Sequence, residues 1–219
     1  MKWINSLSEE KVPFQIYKLN KGDAIISRPD YDNSKLLIIL DGYVYLMKVF
    51  TNKETLSIGI LNTNSIIDIK FILSKNKHYY YKALAVSSTF IISFEIKNVL
   101  NLKTLEKRLI EDVLKSYILT IAKYEIMTNI LAHKDIKNRL IQLLLILCEE
   151  CGVIRNHYII IPLKLSHSTL SLIIGSNRVT IARLMKRLQQ RMLISYTGQQ
   201  IQIHNPIALS YFNNIHNKS

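Results

Sequence analysis

Residues 175–191 read GSNRVTIARLMKRLQQR: a glycine, two small polar residues, then an amphipathic run. Ile181, Leu184, Met185 and Leu188 recur at helical spacing and predict an inward face. The polar face is almost entirely arginine and lysine, with no carboxylate to balance it. Solvated helices ordinarily mix signs, because opposite charges at i,i+4 help a helix and like charges hurt it. Charge of one sign points to a negative partner outside the chain.

The wider charge distribution agrees. The chain has 219 residues and a formal net charge of +13. From Cys151 to Ser219 there is no Asp or Glu. The same stretch holds Arg155, Lys164, Arg178, Arg183, Lys186, Arg187, Arg191 and Lys218, which makes +8 of the total. A basic C-terminal third beside a nearly balanced remainder is the footprint of a polyanion partner. Nucleic acid is the first candidate and an anionic membrane surface the second. A membrane-surface helix sets exposed apolar residues opposite its cations, whereas Ile181, Leu184 and Leu188 read as core. The opening MKWINSLSEE lacks the apolar centre of a signal peptide, and LIQLLLILC is only long enough for a buried helix.

Outward from the basic helix, DIKNRLIQLLLILCEECG predicts an amphipathic helix ending at Gly152. HYIIIPLKL predicts a short strand running into Ser166, which can cap the helix HSTLSLII. Gly175 breaks that pattern before the basic helix begins, and LISYTGQQIQIH reads as two strands about a Thr197-Gly198 hairpin. Helix, glycine-containing turn, helix and β-hairpin make a winged helix-turn-helix over residues 136–219. In that motif the second helix enters the major groove N-terminus first. Arg178 and Arg183 suit bidentate bonds to guanine O6 and N7, and Val179 suits contact with a thymine methyl. Thr180, Asn177, His167 and Ser168 stand where phosphates pass. Lys186, Arg187 and Arg191 lie further along and supply backbone attraction. RNA binding is the rival reading on charge alone, but the basic region lacks exposed stacking aromatics.

The first half reads differently. Residues 12 to about 100 are short β-branched and aromatic runs (KLLIIL, YVYLMKV, ETLSIGIL, TFIISFEI). Turn signals cut them at KGD (21–23), RPDYDN (28–33), Asp41-Gly42 and NTNS (62–65). That spacing predicts an antiparallel β-barrel or jelly roll over residues 1–104, with Asp41-Gly42 as a hairpin turn. Residues 105–135 contain neither Gly nor Pro and predict one long helix. Ile110, Val113, Tyr117, Thr120, Tyr124, Met127 and Leu131 alternate spacings of three and four, a coiled-coil seam. Leu114, Ile118, Ile121 and Ala122 form a second stripe. One stripe can cover the β-domain while the other packs on a twin helix. The reading places the homodimer seam on the first stripe, because a helix this long outruns such a barrel.

No enzyme is read. The six histidines (78, 133, 157, 167, 204 and 216) are scattered without ligand spacing or acid partners. Cys148 and Cys151 form C-x-x-C, but no second pair or nearby histidine completes a zinc site, and they read as a small buried cysteine and its neighbour. No metal and no cofactor is assigned.

Beyond these patterns lies a resemblance. The order β-domain, long helix, winged helix, with KGDAII and LDGYVYL in the first part, resembles the Crp/Fnr transcription regulators across the whole chain. LAHKDIKNRLIQLLLILCEECGV and LKLSHSTLSLIIGSNRVTIARLMKRLQ are more specific, and resemble the global nitrogen regulators (NtcA type) of cyanobacteria and their plastid-encoded relatives. Val179 carries part of this, since many Crp-like proteins have glutamate there. The resemblance implies a cyclic-nucleotide-binding-like domain and a homodimer that contacts RNA polymerase. It also implies that Arg178, Val179 and Arg183 read half-sites of a GTA…TAC palindrome. With a composition rich in Ile, Asn, Lys and Tyr, it implies a plastid of red-algal type, or otherwise a bacterial cytoplasm.

The effector region departs from the family. NSIIDIKFILSKNKHYYYKALA (64–85) lacks the Gly-Glu pair and the Arg beside Ser or Thr of cyclic-nucleotide binders. Types that bind 2-oxoglutarate have Phe-Gly about where Ile67 and Asp68 stand, and arginines about where Tyr79 and Thr120 stand. Glu125 matches the pattern. Lys70 and Lys82 are nearby cations, and Tyr79-Tyr80-Tyr81 is positioned to fill the pocket instead.

Overall fold

The β-branched runs of the first half pair into two antiparallel sheets. A computed structural model describes residues 2–27, 35–67, 78–100 and 107–213 of the chain. The strands are β1 Phe14–Leu19, β2 Ala24–Ser27, β3 Lys35–Asp41, β4 Val44–Phe50, β5 Thr55–Leu61, β6 Tyr79–Ala85 and β7 Thr89–Glu95. They form one sheet of order β1-β7-β3 and a second of order β2-β6-β4-β5. Ile39 and Ile91 of the first sheet pack with Val44, Leu46, Leu61, Tyr81 and Ala83 of the second, so the sheets face each other as in a jelly roll. Period-two alternation places these residues inward.

The Asp41-Gly42 turn is not a hairpin. β3 pairs with β7 and β4 pairs with β5 and β6, so the turn carries the chain from one sheet to the other. It lies against the corresponding corner between β6 and β7: Tyr43 N donates to Ser87 Oγ at 2.9 Å, and Val86 N donates to Tyr43 O at 3.0 Å. Gly42 has φ +96°, and a Cβ there would lie 2.5 Å from Ser88 O and 2.7 Å from Thr89 Cα. Gly42→Ala is therefore expected to lower stability by ~1–3 kcal/mol. A shift in the urea midpoint of the β-domain measures it. The RPDYDN turn, together with Asp68 and Lys70, lies outside the described residues.

On the outer side of the first sheet, Leu36, Ile38, Ile92 and Phe94 form a second core with two helices. One is α1, Lys2–Glu9, which brings Trp3 and Leu7; the other is α3, Lys107–Ala132, which brings Leu109 and Val113. Lys2 Nζ meets Asp112 Oδ1 at 2.6 Å, and Trp3 Nε1 donates to Asn64 Oδ1 at 3.0 Å. A five-residue helix α2, Ile96–Leu100, follows β7.

The residues expected to form the seam on α3 divide between the chain's own core and its surface. Val113, Thr120 and Met127 are buried within the chain, and Tyr124 packs against the sandwich core. Thr120 Oγ1 accepts from Ile66 N at 2.8 Å and donates to Ser116 O at 2.7 Å. Tyr117 and Leu131 are half-buried, and Ile110 is exposed. The stripe turned outward is the second one, with Leu114 56%, Ile118 67% and Ile121 60% exposed. The chain divides into compact units at Met127, inside α3, so most of this helix belongs to the β-domain rather than standing apart.

The second unit continues with α4 Ile136–Cys151, β8 Val153–Arg155, β9 Tyr158–Ile161, α5 His167–Ile174, α6 Arg178–Gln190, β10 Ile194–Thr197, β11 Gln200–Ile203 and α7 Pro206–Ser210. Its sheet has the order β10-β11-β9-β8, so the single strand expected before α5 is a hairpin of two. The wing turns at Gly198 and Gln199, both with positive φ, the pairing a two-residue hairpin loop needs.

Candidate nucleic-acid interface

α5, its turn and α6 are built from capping residues. Ser166 Oγ accepts from Thr169 N at 3.0 Å and starts α5. Gly175 ends it in the left-handed conformation (φ 64°), and Ser176 N closes back on Ser171 O at 2.8 Å. Asn177 Oδ1 then accepts from Thr180 N at 2.8 Å and starts α6. Arg139 of α4 fixes the turn, donating from Nη1 to Ile174 O at 3.2 Å and from Nε to His133 O at 2.8 Å.

This framework sets the two faces of α6. Ile181, Leu184, Met185 and Leu188 are buried, as the periodicity requires. Arg178, Val179, Arg183 and Lys186 are exposed on the other side. Val179 is 77% exposed, a branched apolar side chain standing in solvent between two arginines. No packing among the described residues of this unit explains it. Ser168 is exposed beside the start of α5, and Thr180 is half-buried. The wing is tied to the segment before α5: Tyr196 OH donates to Leu165 O at 3.0 Å, and Leu165 N donates to Gln199 O at 2.9 Å.

His167, expected where phosphates pass, is half-buried. Its ring stacks on Tyr196 with centroids 4.7 Å apart, and Nε2 is buried without a hydrogen-bond partner among the described residues. Burial first, then the Arg178 charge, hold its pKa below the ordinary 6.5. The folded chain thus favours neutral imidazole more than the unfolded chain does. That contribution to stability is present above pH 6.5 and is lost as pH falls through the lowered value. Urea unfolding at about pH 7.5 and about pH 5.5 is expected to show a drop that His167→Gln reduces.

Burial, then the neighbouring Cys151, push the Cys148 thiol up to about 11, and Cys151 Sγ donates to Leu147 O at 3.0 Å. Among the described residues no helix is long and apolar enough to cross a membrane.

Residues 138–212 match the model of the Crp-like helix-turn-helix domain. The HTH-type transcriptional regulator ycf28 of Porphyra purpurea is 33% identical over 210 residues, covering 95% of this chain and 86% of its own. The chain belongs to the Crp/Fnr family. It is a DNA-binding transcription regulator. The global nitrogen regulator of Synechococcus elongatus is 31% identical over 205 residues, 93% of this chain and 92% of that one. The same fold recurs in a cyclic nucleotide-binding domain containing protein from Listeria monocytogenes, with TM-score 0.75, 17% identity, and 93% and 98% of the two chains covered. A CRP-family regulator from Thermus thermophilus gives TM-score 0.71 at 13% identity, over 88% of this chain and 94% of that one.

At the positions that the resemblance marks for effector binding, the β-domain carries other side chains. Thr120, about where one arginine is expected, spends its hydroxyl on Ile66 and Ser116. Tyr79, about where the other is expected, meets Tyr81 edge-on at 5.6 Å. Lys82 alternates to the face opposite the buried Tyr81. Lys48, unremarkable in the sequence, lies on the inward face with its Nζ 3.6 Å from the centre of the Tyr79 ring. Glu125 is exposed.

Proposed function

We propose that this Crp/Fnr regulator acts as a homodimer that reads a palindromic promoter site and serves nitrogen-related genes. One observation carries the site: Val179 stands 77% exposed between exposed Arg178 and Arg183 on a helix whose opposite face is core. That trio offers two bidentate donors for guanine and a methyl contact for thymine. Thr180, Ser168 and Lys186 hold the phosphates, while Asn177 serves mainly as the cap of the reading helix. The dimer forms through Leu114, Ile118 and Ile121, with Ile110 at the margin, since these are among the apolar residues that α3 leaves in solvent, Leu119 being another. The nitrogen assignment draws on likeness to the global nitrogen regulators. The Porphyra relative and the biased composition favour a plastid.

DNA binding in this reading does not wait on 2-oxoglutarate. A dicarboxylate in the sandwich interior needs cations, and Thr120, Tyr79 and the Lys48–Tyr79 contact support an interior filled by its own side chains. Titrating 2-oxoglutarate into the dimer on its site is expected to change affinity less than about twofold, under ~0.4 kcal/mol. A steep gain in fluorescence anisotropy would overturn it. The DNA reading itself is tested by selecting bound sites from random duplexes. A two-fold symmetric consensus is expected, and sequence-blind recovery defeats the base-reading assignment.

A further inference from the structure

One side chain of the second unit joins the segment after α3 to the turn before the reading helix. Arg139 of α4 donates from Nε to His133 O at 2.8 Å and from Nη1 to Ile174 O at 3.2 Å. His133 opens the connection 133–135 between α3 and α4, and Ile174 is the last residue of α5. All of these lie in the second unit, which begins at Thr128 and so holds the last residues of α3. Capping alone does not account for the pair of bonds. α5 already closes through Gly175, with Ser176 N returning to Ser171 O at 2.8 Å. A cation suits the carbonyl end of α5, but His133 O lies outside any helix.

The connection depends on this contact for its shape. Among the described residues Asp135, at the N-cap of α4, makes no side-chain cap bond, unlike Ser166 and Asn177 at the starts of α5 and α6. A guanidinium carries its donors in fixed directions in one plane. One conformation of Arg139 therefore satisfies both carbonyls and fixes where one stands relative to the other. An ammonium is a point charge on a flexible stem and sets no such geometry. Three residues beyond Ile174 stands Asn177, whose side chain starts α6.

We propose that Arg139 is a positioning residue that registers the reading helix against the end of α3, and so sets the half-site spacing the dimer accepts. The inference rests on the proposed homodimer and palindrome. In that reading α3 carries the two-fold seam, and both copies of α6 must reach their half-sites at once. The test measures binding of the full chain to its selected palindrome, to versions with one base pair added or removed between the half-sites, and to a single half-site. One base pair turns the half-sites by ~34° and moves them ~3.4 Å. The parent chain is expected to lose at least about tenfold on either altered spacing. Arg139→Met is expected to lose about tenfold on the native spacing, to bind all three spacings within about threefold of one another, and to keep half-site affinity within about twofold. Arg139→Lys keeps the charge without the fork, and is expected to relax the spacing preference in the same direction. Leu140→Ala, at a buried neighbour on the same helix, is the control: it lowers the melting temperature and is expected to keep the preference. A parent-like spacing profile in either folded Arg139 variant overturns the proposal. So does an equal relaxation in Leu140→Ala, which assigns the effect to lost stability. A half-site loss in Arg139→Met that matches its palindrome loss confines the residue to one reading helix and overturns the registering role. A parent chain that selects no palindrome strikes the proposed function and this inference with it, and that result is known before any variant is made.

Discussion

Ile118→Glu combined with Ile121→Glu yields a folded monomer whose affinity for the palindrome falls by about 10²–10⁴-fold. The loss is that large because a dimer places its second recognition helix at high effective concentration once the first is bound. Both residues lie on the solvent side of α3, so charge there costs the fold little. The contrast is Val113→Lys. Val113 is 5% exposed in a core with Trp3, Leu36 and Phe94, and an unpaired ammonium there costs ~3–5 kcal/mol. That variant unfolds the β-domain rather than parting two copies. Sedimentation gives the mass, circular dichroism the fold, and anisotropy the affinity. An Ile118/Ile121 variant that still sediments as a dimer refutes the outward stripe as the seam.

Removing a base-reading arginine has the second largest effect. Arg178→Ala and Arg183→Ala are each expected to cost ~1–3 kcal/mol on the preferred site, roughly 5- to 150-fold, and to relax preference at one position. Lys186→Ala behaves otherwise: it weakens all sequences similarly and lowers the salt slope by about one. The three side chains are all exposed on α6, which keeps their truncation from disturbing Ile181, Leu184 or Met185. Competition between selected and random duplex separates the two behaviours. Equal weakening by Arg178→Ala on both duplexes removes that residue from base reading.

Periodicity made the winged helix legible, because each break in pattern falls on a residue with a physical reason to be there. Ser166 and Asn177 cap, and Gly175 takes the left-handed turn. The strands of the sandwich were legible for the same reason. Partnership was not. Asp41-Gly42 declares a turn through its own chemistry, but nothing local says whether the next strand joins the same sheet. On α3, two apolar stripes share one period, and the choice between them lies in what Trp3, Leu36 and Ile66 bring up against the helix. α1 is not legible in the sequence because its fully buried residues are only Trp3 and Leu7 among polar neighbours. The Lys48–Tyr79 contact joins residues 31 positions apart, so no short window of sequence holds it.

The exposed cations of α6 have a consequence in time as well as in affinity. Their attraction to phosphate is blind to sequence, and no carboxylate between Cys151 and Ser219 tempers it. A protein so charged is held by whatever duplex it first touches, and then slides and hops along it. Its search for a promoter becomes travel along one dimension, with Arg178, Val179 and Arg183 sampling each base step as it passes. Rising salt therefore shortens each excursion before it erodes the final complex, and the rate of finding a site becomes as sensitive to ionic conditions as the strength of holding it.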